Sequence, residues 1–351
     1  MPLSSKDFEK LKHLRHVYDR NYRVTQLYST YLNRFPTLLT KEAVDALTED
    51  GRIGEEEAIG ALLTVAFGLD TEHNTDDRII ERDYIHPSVR LLDAQKYYND
   101  PYYRTVHIPD TAVGRISFKN ECYEPYRAVI CDDILTDGEG KEVPPLGFFR
   151  EPFFFPAVLE DGNEWMTLTP VDLDTCREAI EEAHGHVVTF GLGLGYYAFM
   201  VAQKDEVERV TVVEKNAEVI RLFVDVLLPQ FPNKEKIRIV EDDAFRFAEH
   251  TLPTVGADYV FVDTWRDASD GYPMYRRMKR LEHLCEGVPF SYWIEGFLLS
   301  RMRAFVFEKI WDTEVNATHG QTGEYTFEDI RYRLSRDGLI QAILNREDDI
   351  E

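Results

Sequence analysis

Apolar and polar positions fall into three successive textures along the 351 residues. Over residues 6–35 the apolar side chains return at helical spacing, with Leu11, Leu14, Val17 and Tyr18 followed by Tyr28, Tyr31 and Leu32, until Pro36 breaks the run. Further helices are predicted over 41–48 and over "EEEAIGALLTVAFG" at 55–68, where Gly68 supplies a stop. From Val113 the texture turns to short aromatic and β-branched runs: "VGRISFKN", "YRAVICDDIL", "LGFFREPFFFPAVLE" and "EWMTLTP". Between them lie "TDGEGKEVPP" and "EDGN", so an antiparallel sheet is predicted, its prolines marking bends or edges. From Thr169 strand-like and helix-like runs alternate. "HVVTF", "RVTVVE", "KIRIVE", "DYVFVD" and "FSYWIE" read as strands, with amphipathic segments between them. Such alternation implies right-handed crossovers and a parallel sheet covered on both faces. The expected organisation is a helical region over 1–110, a small antiparallel β region over 111–168 and an α/β domain over 169–351. After Trp311 a loop and a helix are expected.

Charge narrows the partners. The chain has 64 acidic and 40 basic residues, a formal charge of −24. A nucleic-acid binder needs a basic patch to displace counterions. The nearest approach to one, "YRRMKR" at 275–280, reads as the solvated face of a helix, so no nucleic-acid partner is expected. Apolar runs fall short of the roughly 20 residues of a membrane span, and the charged N-terminus has no apolar signal core. Cys122, Cys131, Cys176 and Cys285 show no metal-ligand spacing. They suit free thiols, which points to a cytoplasmic location with no membrane contact. "DTEHNTDD" at 70–77 has acids and a histidine without a ligand spacing and reads as a polar loop, so no metal is expected.

The candidate chemistry lies on one rim of the predicted sheet. Ligands of open α/β sheets bind beyond the carboxyl ends of the strands. After the first strand comes "GLGLG", with Gly191, Gly193 and Gly195, where a backbone without Cβ atoms can approach a ligand. Glu214 closes the second strand about 20 residues on, a position from which a carboxylate accepts both ribose hydroxyls. Asp242 and Asp243 follow the third strand and Asp263 ends the fourth. Glycines and acids at four consecutive strand ends predict a nucleoside-type site.

These motifs, with "VVEKNAEVIRLFVDVLLPQFPNKEKIRIVEDDAFRF" and "DYVFVDTWRDASDGYP", resemble the class I S-adenosylmethionine-dependent methyltransferases, and within them the spermidine-synthase-like branch. The resemblance covers about residues 165–295. It implies a Rossmann-like, doubly wound, mostly parallel sheet and S-adenosylmethionine as cofactor. By this resemblance Gly191, Gly193 and Gly195 lie against the methionine portion and Glu214 holds the ribose. Asp243, with Asp242 competing, reaches the adenine amino group, and Asp263 lies near the methionine amine and the acceptor. Two positions depart from the pattern. Thr189 stands where many methyltransferases have an acid, and Arg266 stands where polyamine synthases have a second Asp. A cation there opposes a cationic amine, so methyl transfer to a small-molecule or protein acceptor is the expected activity. Aminopropyl transfer and a noncatalytic binding module are the alternatives. Glu295, at the end of the fifth strand, is the candidate acceptor base beside Asp263, and Trp265 reads as core or as a cover for a cationic group. The usual antiparallel last strands of this fold are not visible in the sequence. The N-terminal region is expected to cap the site or to form a homodimer contact.

Overall fold

A computed structural model describes residues 5–318. Its centre is a five-stranded sheet: β1 (Gly185–Phe190), β2 (Val207–Glu214), β3 (Ile237–Glu241), β4 (Tyr259–Val262) and β5 (Phe290–Tyr292), in the order β3-β2-β1-β4-β5. Every neighbouring pair is parallel. In β1, Val187, Val188, Thr189 and Phe190 are all buried, which is why the segment lacks polar alternation. Helices Tyr196–Ala202, Ala217–Leu222, Ala244–His250 and Ala268–Lys279 fall between successive strands. The chain runs outward from β1 to β3, then returns to place β4 on the other side of β1. This reversal opens a crevice between the carboxyl ends of β1 and β4. The domain is thus α/β with a doubly wound, Rossmann-like parallel sheet.

The preceding residues do not divide as simply as their periodicity suggests. One helix spans Ser5–Arg34, followed by Lys41–Thr48 and Glu55–Ala66. Part of the polar stretch at 70–77 is helical: the Asn74 side chain caps the first turn of Thr75–Ile80 by accepting from the backbone of Asp76 and Asp77. Among the described residues no cluster of His, Cys, Asp and Glu could hold a metal ion. The run "LGFFREPFFFPAVLE" makes two strands of different sheets. Leu146–Phe149 pairs in parallel with Val89–Leu92 and antiparallel with Val129–Ile130. Phe153–Glu160 lies between Ile116–Tyr123 and Asn163–Thr167 in a four-stranded antiparallel sheet that Thr111–Val113 completes. Pro156 therefore occupies a central strand. It lies beyond the last paired position on the Asn163–Thr167 side, Ala157 opposite Thr167, and its carbonyl accepts from the Leu168 amide.

Two hydrophobic cores result. One gathers Val24, Tyr28, Ile59 and Leu63 of the helices with Leu146 and Phe148. The other runs through the parallel sheet and takes in Phe118, Phe153, Phe155 and Val158 of the antiparallel sheet. The antiparallel sheet is thus packed as a wall of the α/β domain. After β5 a helix spans Glu295–Thr318, so the loop expected after Trp311 is helical as far as Thr318, and the rest of that tail lies outside the described residues. No described helix is long and apolar enough to cross a membrane.

Candidate active site

The crevice at the reversal is a cleft of about 720 Å³ lined by nine acidic and two basic side chains. Its floor begins at the glycine turn. Gly191 has φ +98°, and a Cβ there would overlap the Asp263 carbonyl oxygen, so glycine lets the ends of β1 and β4 close together. Gly193, at φ +49°, faces the Met166 thioether of the antiparallel sheet. Gly195, at φ +76°, starts the helix Tyr196–Ala202 and abuts the Phe223 ring. Gly191 and Gly193 line the cleft, whereas Gly195 serves the turn.

Glu214 is 6 % exposed. Its carboxylate accepts from the Leu192 amide at 3.2 Å and the Asn216 amide at 2.8 Å, which fixes it beside the glycine turn with lone pairs left toward the cleft. Asp242 and Asp243 line the same rim. Asp242 forms an ion pair with Arg246, while Asp243 caps the helix Ala244–His250, accepting from the Phe245 and Arg246 amides at 3.0 Å each.

Asp263 has no such task. The helix after β4 is capped by Asp267, which accepts from the Ser269 amide, and Asp270 completes a capping box. The Asp263 carboxylate has no hydrogen-bond partner among the described residues. Burial, then the charges of Asp172 and Glu214, push its pKa well above the usual carboxylate range. Asp172 comes from the short helix Pro170–Thr175, and its sequence context does not single it out. Its Oδ2 accepts from the Thr169 amide at 2.7 Å, and burial raises its pKa to about 6. Asp172 and Asp263 line a small cavity of about 30 Å³ that shares a wall with the cleft. That volume suits one or two water-sized groups. The Thr189 hydroxyl lines it too, buried and without a hydrogen-bond partner. At the cleft wall the Thr264 hydroxyl and the Trp265 Nε1 are also buried and unpartnered. Buried polar groups are ordinarily satisfied, so three orphans around one cleft mark a place for a polar ligand.

Trp165, Trp265 and Trp293 all line the cleft, three of the four tryptophans in the chain. Trp265 is mostly core: it is 6 % exposed, and Gly271 packs on its ring. The Arg266 side chain is 60 % exposed and lies 3.9 Å from Asp270 at the mouth, so its charge is offset away from the floor. Glu295 is not among the cleft-lining residues. It accepts from the Tyr275 hydroxyl at 2.7 Å and lies 3.5 Å from the buried Lys279 ammonium, behind the wall rather than in it.

What the fold and site define is an α/β protein with an acidic, tryptophan-walled cleft at the switch point of a parallel sheet. No protein-family model and no curated protein matches the chain. Among solved structures it is similar to the spermidine synthase from Thermotoga maritima, at 16% identity and a TM-score of 0.31, over 42% of this chain and 55% of that one. It is also similar to a probable spermidine synthase from Corynebacterium glutamicum ATCC 13032, at 18% identity and a TM-score of 0.27, over 46% of this chain and 59% of that one. The chain thus spans little more than half the length of each.

Proposed function

We propose that the chain is a transferase that takes an adenosyl sulfonium carrying an unblocked ammonium tail, decarboxylated S-adenosylmethionine, and passes its aminopropyl group to an amine. The observation that carries this reading is the floor of the cleft. Asp172 and Asp263 share a cavity of ammonium size with no basic residue in its lining. A tail ending in an ammonium gains two charge-assisted contacts there, whereas a methionine tail would bring its carboxylate against two acids. Glu214 takes the ribose hydroxyls and the rim formed by Asp242 and Asp243 takes the adenine amine. The mouth of the cleft, with Glu164 and Asp270 beside Trp165, admits a cationic acceptor. In the transfer, the lone pair of the acceptor amine attacks the aminopropyl carbon bound to sulfur. The C–S bond breaks with its electron pair passing to sulfur, and the acceptor nitrogen releases a proton to water or a rim carboxylate. The products are an N-aminopropyl amine and the neutral thioether 5′-deoxy-5′-methylthioadenosine. The residues contribute orientation and a field favourable to cations, so no triad is required.

Arg266 favours a second reading. Its guanidinium, only partly committed to Asp270, is free to take the carboxylate of intact S-adenosylmethionine at the cleft mouth. That is the methyl transfer expected from the sequence. Calorimetry with both sulfonium compounds separates the two: the decarboxylated form should bind at least about tenfold tighter, the worth of one charge-assisted contact. Tighter binding of S-adenosylmethionine would reverse the assignment. Binding without turnover over a panel of amines would leave a noncatalytic binding module.

A further inference from the structure

We infer that Asp133, which lies outside the α/β domain, is a positioning residue for the cleft and acts through Trp293. Three observations join in one path. Trp293 follows β5, donates its amide to the Val262 carbonyl at 3.0 Å and lines both the cleft and the small cavity. The next residue, Ile294, has φ +49° and is 6 % exposed. A β-branched residue in the left-handed region is a strained conformation that its surroundings must impose. Two residues further on, the amides of Gly296 and Phe297 donate to the two carboxylate oxygens of Asp133, at 2.7 and 3.0 Å.

Asp133 thus holds the first turn of the helix Glu295–Thr318 from a point 163 residues away in sequence. Glycine is required at 296 because a Cβ there would lie 2.8 Å from the Asp133 carboxylate. The clamp is anchored in turn. Glu142, also from the N-terminal region, accepts from Ser300 at 2.6 Å and from Arg303 at 2.9 Å on the same helix. The Glu142 amide donates to the Asn21 side chain of the first helix at 3.1 Å. On the other side Glu295 is fixed by Tyr275. The chain from Tyr292 to Gly296 is therefore pinned at both ends, and the left-handed turn at Ile294 is what connects them with the Trp293 ring in the cleft wall. Releasing the Asp133 end lets Ile294 relax toward ordinary backbone angles and carries Trp293 out of position. This goes beyond the donor assignment, because it makes the N-terminal region part of the cleft machinery.

The test has two arms. In the first, which rests on the nucleoside reading of the cleft, full-length wild type, Asp133→Ala and Asp133→Asn are titrated with 5′-deoxy-5′-methylthioadenosine. Asp133→Ala should lose about tenfold or more in affinity, and Asp133→Asn, which keeps one acceptor oxygen, should recover most of it. In the second, which needs no ligand, amide hydrogen exchange is followed in the same three proteins. Exchange over 293–298 should quicken in Asp133→Ala and return toward wild type in Asp133→Asn, while the Gly191–Gly195 turn stays unchanged. Wild-type affinity in a folded Asp133→Ala chain, or quickening spread evenly over the α/β domain, would overturn the proposal. If Asp133→Ala does not fold, Asp133→Asn alone must show local quickening at 293–298, and unchanged exchange there would overturn the proposal equally. A wild-type protein that does not bind the nucleoside sinks the donor assignment and leaves the exchange arm to judge the clamp.

Discussion

Asp172 and Asp263 reach one small cavity from two elements, a short helix before β1 and the end of β4, and the charge of Asp172 helps to hold Asp263 protonated. Two carboxyls confined together without a cation are an incomplete arrangement. Each raises the cost of ionising the other until a positive group enters.

The first expectation follows directly. If Asp263 is protonated in the free protein, Asp263→Asn replaces one neutral group with another of nearly equal shape. Thermal stability should hold within about 1 kcal/mol, as for a conservative change without strain. Affinity for the ammonium-bearing sulfonium should fall about tenfold or more, because the amide cannot ionise to meet the cation. Differential scanning fluorimetry with calorimetry reads both. An Asp263→Asn protein that binds like its parent removes Asp263 from the site, and one that no longer folds makes the residue structural.

A pH dependence follows from Asp172, whose pKa stands at about 6 in the folded chain against an ordinary 3.8. Between those values the folded form keeps its proton and the unfolded form has lost it. Raising the pH through this window therefore favours unfolding at this residue. Asp172→Asn removes the penalty. The melting temperatures of wild type and Asp172→Asn should diverge from pH 4 to pH 7, with the variant gaining as the pH rises. Cation binding runs the other way: a carboxyl must give up its proton to the solvent, so affinity rises with pH over the same window. Calorimetry at pH 5.5 in buffers of different ionisation enthalpy should detect proton release. Buffer-independent heats would show that no carboxyl ionises on binding.

The glycine turn separates into two roles. Alanine at Gly195 meets the Phe223 ring at φ +76° and should destabilise the chain by roughly 1–2 kcal/mol or more, with affinity per folded molecule little changed. Alanine at Gly193 meets the mobile end of Met166 and projects beside the cleft, so affinity should suffer more than stability. Equal losses of stability and affinity at both positions would make the whole turn structural.

Much of this geometry is legible in the residues, and the reasons are physical. β1 and β2 are buried on both faces, so their valines run without polar interruption, and the acids that end them must face the rim. Asp172 is concealed because Thr169-Pro170-Val171-Asp172 has the form of a helix cap, and it is one: the capping box hides a carboxyl whose other side faces the cavity. Glu295 reads as a rim acid because it follows β5. What redirects it, Tyr275 and Lys279, comes from the helix Ala268–Lys279, whose facing neither period nor spacing announces. The strand Val89–Leu92 has no such signal. Its partner lies more than 50 residues downstream, and four residues give too short a pattern to separate from the helices around it.

Arg266 supplies the last expectation, the one that decides between the two donors. Sequence position alone makes it an argument against a cationic tail. The structure turns its side chain toward Asp270 at the mouth, with the backbone amide of Arg266 also donating to that carboxylate. The floor with Asp172 and Asp263 is left without a basic neighbour in its lining. If the donor is decarboxylated, Arg266 faces the acceptor side and repels an amine there, so Arg266→Ala should leave donor affinity unchanged. It should also lower the KM for a cationic acceptor by a small factor, about twofold to fivefold, as expected for one screened surface charge. If the donor is S-adenosylmethionine and Arg266 pairs with its carboxylate, the same substitution should weaken that donor about tenfold, the loss of one charge-assisted contact. The two results cannot both appear in one protein. Calorimetry of Arg266→Ala with each donor, beside the acceptor KM, therefore tests the assignment independently of the carboxyl pair. A tenfold loss for S-adenosylmethionine with no effect on the decarboxylated form, in a chain that prefers S-adenosylmethionine, would return the protein to methyl transfer.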